Sequence, residues 1–320
     1  VRQLLLFVAF LLSSCIRPYP GGSQELQAAL TQAAEPLPTA AAPQASLEPV
    51  FQPTRTPSAS GQGTPPGPGP AFSGSQLYAV VMVAEDNVLN VRTAPGIDNP
   101  ILETLPPNSR DLRLTGGRQT ADGAEWWELS LTSGSAGWAS AAFLTQQVPS
   151  EAFCADPRVK ARLLAFVEAL QKQNGPALME LISPIHGLTV RHNWWNPEVV
   201  FSAGQAGELF EDQTSYNWGA GEGSALPIQG SFAAVILPRL QDVFSGPYQQ
   251  PCNNLEINVA SGPTTGQVIW PFEYANLNYI ALYRPAAPGD ELNWRTWAVG
   301  FEIIDGIPYV LALVQYYWEI

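Results

Sequence analysis

LNVRTAPG, Leu89 to Gly96, reads as a short strand running into a Pro-Gly turn. Leu89 and Val91 alternate with Asn90 and Arg92, the pattern of a strand with one face buried. Similar runs lie on both sides: YAVVMV (Tyr78–Val83), VLNVRTAPG (Val88–Gly96), ILETLP (Ile101–Pro106), DLRLTGG (Asp111–Gly117), EWWELSL (Glu125–Leu131) and GWASAAFL (Gly137–Leu144). Strands so short and so closely spaced predict a small all-β barrel.

Four motifs occur in order along this segment: Asn90-Val91-Arg92-Thr93-Ala94-Pro95-Gly96, Thr104-Leu105-Pro106-Pro107-Asn108, Trp126-Trp127-Glu128-Leu129, and Gly137-Trp138 leading to Phe143-Leu144. Together they resemble the bacterial SH3 (SH3b) family across residues 76–147. The resemblance implies an SH3-like barrel and an envelope-facing module that binds peptidoglycan peptides or other cell-wall material. Gly96 tolerates an unusual φ and Pro95 stiffens its turn, while Val91, Leu129 and Trp138 are expected in the core. Proteins with such modules often add a wall hydrolase, but its chemistry is not found. Cys154 and Cys252 lack the context of a papain-like nucleophile, and Ile185-His186-Gly187 lacks the cysteine partner of a transpeptidase. The two His of the chain are too few for a zinc amidase.

Arg2 precedes an apolar run, Leu4 to Leu12, that has signal-peptide length and is too short to span a bilayer as a helix. It ends in Leu12-Ser13-Ser14-Cys15, which resembles the bacterial lipobox, so residues 1–15 are read as a lipoprotein signal peptide with Cys15 as the acylated residue. The competing reading is an ordinary secretory signal with an incidental cysteine. Residues 16–75 are rich in Pro, Ala, Gln, Ser, Thr and Gly and poor in aromatics. Such a composition buries too little apolar area to offset chain ordering, and predicts a disordered tether. Cys154 and Cys252 are the remaining pair, and in an oxidising compartment they suggest one disulfide, the alternative being two independent buried thiols.

Charged residues make up 13% of the chain and the net charge is −13. Four Arg face eight acids within residues 76–147, and eight Lys or Arg face sixteen acids within residues 152–320. A diffuse negative field repels phosphate backbones, which argues against nucleic-acid partners.

Residues 152–320 read as a separate α+β domain. Asp156-Pro157 opens a helix with the apolar stripe Val159, Leu163, Phe166, Val167 and Leu170, and Asn174-Gly175 ends it. A second short helix starts at Pro176, and a third spans Ser231 to Phe244 with Pro238 as a kink or break. Trp294–Ile304 and Ile307–Ile320 form a hairpin through Asp305-Gly306, and the last strand is apolar on both faces, as a mid-sheet strand under helices would be. Leading helices and a curved sheet suggest a roll of NTF2-like or cystatin-like pattern.

The chemically richest stretch is VRHNWWNPEVV, Val190 to Val200, which sets Arg191, His192, Asn193, Asn196 and Glu198 around Trp194 and Trp195. Tyr216-Asn217-Trp218 and Trp270-Pro271-Phe272-Glu273-Tyr274 are further polar-aromatic patches. Indole faces stack on flat ligands while Asn, Glu and Arg orient them. The candidate ligand-binding set is therefore Arg191, His192, Trp194, Trp195, Asn196, Glu198, Tyr216, Trp218, Glu273 and Tyr274. The competing reading is that these Trp fill a core.

The reading is of a multidomain chain, an all-β SH3-like barrel followed by an α+β domain with helices packed on a mostly antiparallel sheet. It describes an extracytoplasmic lipoprotein, lipid-anchored to a membrane in the cell envelope, that binds peptidoglycan, glycan or another envelope ligand, with no cofactor or metal. The alternative is an envelope carbohydrate-active enzyme using His192, Glu198 and Glu273 in acid–base roles.

Overall fold

The computed structural model describes residues 76–221, 224–255 and 269–318, so the lipobox with Cys15 and the Pro-rich segment lie outside the described residues. The described part is mostly β with few helices.

Seven strands make the first sheet: β1 (Leu77–Val80), β2 (Leu89–Arg92), β3 (Ile101–Leu105), β4 (Leu112–Ala121), β5 (Ala124–Ser130), β6 (Ala136–Ser140) and β7 (Leu144–Gln146). They pair antiparallel in the order β3-β2-β6-β5-β4-β1-β7. The alternation read from LNVR is present: Leu89 and Val91 are buried with Tyr78, Val80, Trp127, Leu129 and Leu144. The turn after β2 is fixed by side chains. Asn99 Nδ2 donates to the Pro95 carbonyl (2.7 Å) and Arg92 Nη1 to the Asn99 carbonyl (2.8 Å), while Gly96 sits at φ +113°.

Three expectations are corrected here. The barrel does not close, because no ladder joins β3 to β7 among the described residues. β7 has three residues and spends them on β1, and β3 leaves Ile101 and Leu102 exposed at 52% and 45%. Trp138 is half-buried rather than in the core, since its neighbours Gly137 and Ala139 take the inward face of β6 and turn it outward over Gly117. The strand expected over Tyr78–Val83 ends at Val80. Met82 has φ +61° and its N–H donates to the Glu273 carbonyl (2.8 Å), so the chain leaves the ladder to meet the second half of the protein.

That half begins with α1 (Ser150–Ala155), α2 (Pro157–Gln171) and α3 (Gly175–Met179). Asp156 caps α2 through the Arg158 N–H (2.8 Å), with Pro157 in its first turn. Next come β8 (Leu188–Arg191), β9 (Val199–Phe201), α4 (Ala203–Ala206) and a separate ribbon of β10 (Tyr216–Ala220) and β11 (Pro227–Gly230). The helix expected over Ser231–Phe244 is split into α5 (Phe232–Val235) and α6 (Leu237–Phe244), with Pro238 in the first turn of α6 where its missing N–H costs nothing. β12 (Asn278–Arg284), β13 (Arg295–Ile304) and β14 (Ile307–Tyr317) complete a five-stranded sheet in the order β12-β13-β14-β8-β9, in which β14 and β8 run parallel. Asp305 and Gly306 turn the β13–β14 hairpin at φ +50° and +80°.

β14 is central, and both of its faces are covered. Val310 and Leu313 join Val299, Trp297, Leu282 and Val190 beneath α2 and α6, whose Phe166, Leu170, Leu237 and Leu240 close that core. Ala312, Val314 and Tyr316 point to the opposite face and pack with Tyr274, Leu277, Trp294 and Val81 of the first half. Asn276 Nδ2 donates to the carbonyls of Val80 (2.8 Å) and Ser109 (3.2 Å), so polar contacts reinforce this junction. Cys154 of α1 is disulfide-bonded to Cys252 in the segment before β12, across a sequence separation of 98.

Candidate functional site

The eight residues between the β8–β9 ladder partners form a tight loop. The Asn193 carbonyl accepts from Asn196 N–H (2.9 Å) and its side-chain oxygen from Trp194 N–H (2.8 Å). Asn196, almost fully buried, ties the loop to the ribbon by accepting from Ala220 N–H (3.2 Å). Gly219, at φ +96°, makes this approach possible: a Cβ there would lie 2.2 Å from the Asn196 side-chain oxygen.

Arg191, the last residue of β8, is the centre of one cluster. Its Nη1 donates to the Trp194 (3.2 Å) and Asn196 (3.1 Å) carbonyls, and Nη2 is paired with Glu198 (3.4 Å) and, in close contact, with Glu273. The guanidinium lies 5.5 Å from the centre of the Tyr274 ring. Tyr274 is fully buried and its hydroxyl donates to Glu198 Oε2 (2.5 Å). Burial, reinforced by the Glu198 charge, pushes the Tyr274 phenol far above its ordinary pKa, so it remains a neutral donor. Trp270 stacks on Tyr279 (4.5 Å between centroids) and donates its indole N–H to the Tyr274 carbonyl (2.7 Å), which fixes the 270–274 turn. Six of the residues singled out in the sequence thus meet: Arg191, Trp194, Asn196, Glu198, Glu273 and Tyr274.

The other four stand apart. His192 is one residue beyond Arg191 and faces the opposite side of the sheet, the side under the helices. There it packs edge-on against Tyr317, whose hydroxyl lies 3.4 Å from Nδ1, and it is fully buried. Burial first, and Arg239 second, lower its pKa from 6.5 to about 3, so it is neutral under ordinary conditions. Trp218 belongs to the core, with its indole N–H on the Gly230 carbonyl (2.9 Å). The Tyr216 hydroxyl donates to Asp212 (2.6 Å), and Trp195 is exposed at the loop tip. An acid–base group of His192 with Glu198 and Glu273 is therefore not assembled, because strand alternation puts the imidazole and the carboxylates on different faces.

Two buried polar residues were missed. Glu302, on β13, pairs with His186 Nδ1 (2.9 Å), both side chains being almost fully enclosed. Gln315, on β14, is fully buried. Each is a lone polar residue inside an apolar run, AVGFEII and YVLALVQYY, and that interruption is the signal that could have found them. No group of three or more His, Cys, Asp or Glu able to hold a metal occurs among the described residues.

Arg191→Met removes the cation that pairs with both Glu198 and Glu273, two carboxylates that are partly enclosed. We expect a loss of roughly 3 kcal/mol in urea unfolding, at the low end for a broken ion pair because Glu198 keeps access to solvent. His192 predicts an acid limb. Below pH 6.5 the unfolded chain takes up a proton that folded His192 refuses until about pH 3, so its contribution is full above 6.5 and is lost as pH falls through that window. His192→Gln should flatten the fall in urea midpoint between pH 7 and pH 4 relative to the parent chain.

Compared with known proteins, the chain matches no family model, no curated protein and no solved structure.

Proposed function

We propose that the chain is a lipid-anchored extracytoplasmic protein that binds cell-wall or other envelope ligands. In this reading Cys15 carries the lipid, residues 16–75 form the tether, residues 76–147 are an SH3b module of SH3-like barrel type, and residues 152–320 are an α+β roll. The lipobox, the Pro-rich composition and the four ordered SH3b motifs support the assignment.

The observation that carries binding over catalysis is the separation of His192 from Glu198 and Glu273 on opposite faces of the five-stranded sheet. Both carboxylates are moreover engaged by Arg191, so neither is placed as a free acid or base. Trp195 at the loop tip and Ile101 and Leu102 on the β3 edge offer apolar surface to a partner.

Purified peptidoglycan should retain the full chain equally at low and high salt, because four Arg against eight acids in residues 76–147 provide no cation cluster from which counterions would be released. No retention at either salt level removes the wall-binding role, and a steep loss with salt shows that charge dominates instead. Release of soluble fragments from the wall by the full chain would favour the enzyme. The anchor has its own test: Cys15→Ala should move the protein from the detergent phase to the aqueous phase, and unchanged partitioning would place the anchor elsewhere.

A further inference from the structure

The helix-covered face of the five-stranded sheet carries an unexplained polar end. Gln315 on β14 pairs in register with Trp297 on β13, and both side chains point to this face with Leu313 and Val299. The parallel ladder pairs Val314 with Arg191, so the next residues along, Gln315 and His192, lie beside each other under the helices. Gln315 is fully buried, yet neither its amide nitrogen nor its amide oxygen has a hydrogen-bond partner among the described residues, and the same is true of His192 Nε2. A buried amide with both ends idle is costly in a folded chain, and natural interiors leave few of them.

Two residues further out on the same face is Tyr317, paired in register with Arg295, which is in turn paired with Arg284. The guanidinium groups of Arg239, from α6, and Arg295 lie 5.4 and 5.7 Å from the Tyr317 ring centre. Asp242, also on α6, is paired with Arg284 (2.9 Å) and lies 3.9 Å from Arg295. Arg239 is held by the Tyr317 ring and has no carboxylate within ion-pair distance among the described residues. Among the described residues the rim thus sets Arg239, Arg284 and Arg295 against Asp242, in a chain of net charge −13, and the floor is neutral and able to hydrogen-bond.

We propose that this end of the face is a binding site for a small organic acid that also carries an uncharged hydroxyl or amide group. The carboxylate pairs with Arg239 and Arg295, and the uncharged group reaches Gln315 and His192. Gln315 offers both a donor and an acceptor and neutral His192 one further ring nitrogen, so the floor recognises hydroxyl or amide groups and disfavours a second charge. Gln315 and His192 are enclosed, so the acid reaches them only when the partly exposed side chains of Tyr317 and Arg239 swing aside. The site lies on the face opposite the Arg191 cluster, and its occupancy does not depend on wall binding.

Isothermal titration of the full chain tests it with two acids, D-glucuronate and N-acetylmuramate, and their uncharged counterparts D-glucose and N-acetylglucosamine. We expect saturable binding of at least one acid, at least tenfold weaker binding of its counterpart, and at least a tenfold loss in Arg239→Gln. Gln315→Leu should also lose binding while the free variant unfolds at a temperature no lower than the parent chain, because an idle amide is replaced by an apolar side chain of similar size. No saturable binding of either acid, equal binding of the counterparts, or binding retained in either variant would overturn the proposal. So would earlier unfolding of Gln315→Leu, which would mean that the amide already serves the fold.

Discussion

A sheet that is apolar on both faces cannot stand with one of them in water, and the C-terminal half contains such a sheet. Val310 and Leu313 on one side of β14, and Ala312, Val314 and Tyr316 on the other, are all buried. Each fully buried aliphatic side chain contributes about 1.5–3 kcal/mol relative to exposure, so both faces need a cover. Helices α2 and α6 provide one. The other is built from the 270–277 turn together with Val81 and Met82, which the first half sends across. The association of the two halves is therefore part of the hydrophobic core and is not a contact between finished surfaces.

The Arg191 cluster makes sense in that setting. It sits where the β8 strand end, the β8–β9 loop and the 270–277 turn converge, and it holds the turn in the shape that meets Met82. A guanidinium can satisfy two backbone carbonyls and two carboxylates at once because its donors fan out in a plane, which a lysine ammonium does not reproduce. Trp270 and Tyr274 add stiff aromatic area around it.

Local signals were legible in the sequence and long-range register was not. Asp156-Pro157 and Asp305-Gly306 declare a helix start and a hairpin because cap and turn preferences act over a few residues. The strand order of the first sheet, open between β3 and β7, depends on which edges meet, and no residue pattern states that. Trp138 misled because the resemblance to SH3b motifs suggested a core role, whereas the alternation of Gly137, Trp138 and Ala139 turned it outward. In the C-terminal half, VRHNWWNPEVV was read as a candidate ligand-binding stretch, and in the structure Arg191, Asn193 and Asn196 spend their polar groups on the loop itself and its neighbours. The division of Arg191 and His192 between two faces followed from period-two alternation alone, but the partners on each face came from residues more than 40 positions away, such as Glu273, Tyr274, Arg239 and Tyr317. Gln315 and Glu302 stood out only as breaks in apolar runs.

The departure of the chain from β1 has a mechanical consequence. Residues that precede Leu77 connect to the fold through β1, which pairs with β4 at Leu77 and Tyr78 and with β7 from Tyr78 to Val80 and then continues as Val81 and Met82 into the second core. A pull on that end loads the β1 ladders along the strand axis, so several hydrogen bonds share the load instead of opening one after another. Beyond them the same strand is pinned by apolar packing and by the Met82–Glu273 backbone bond. Tension entering at β1 is thereby carried into both halves at once.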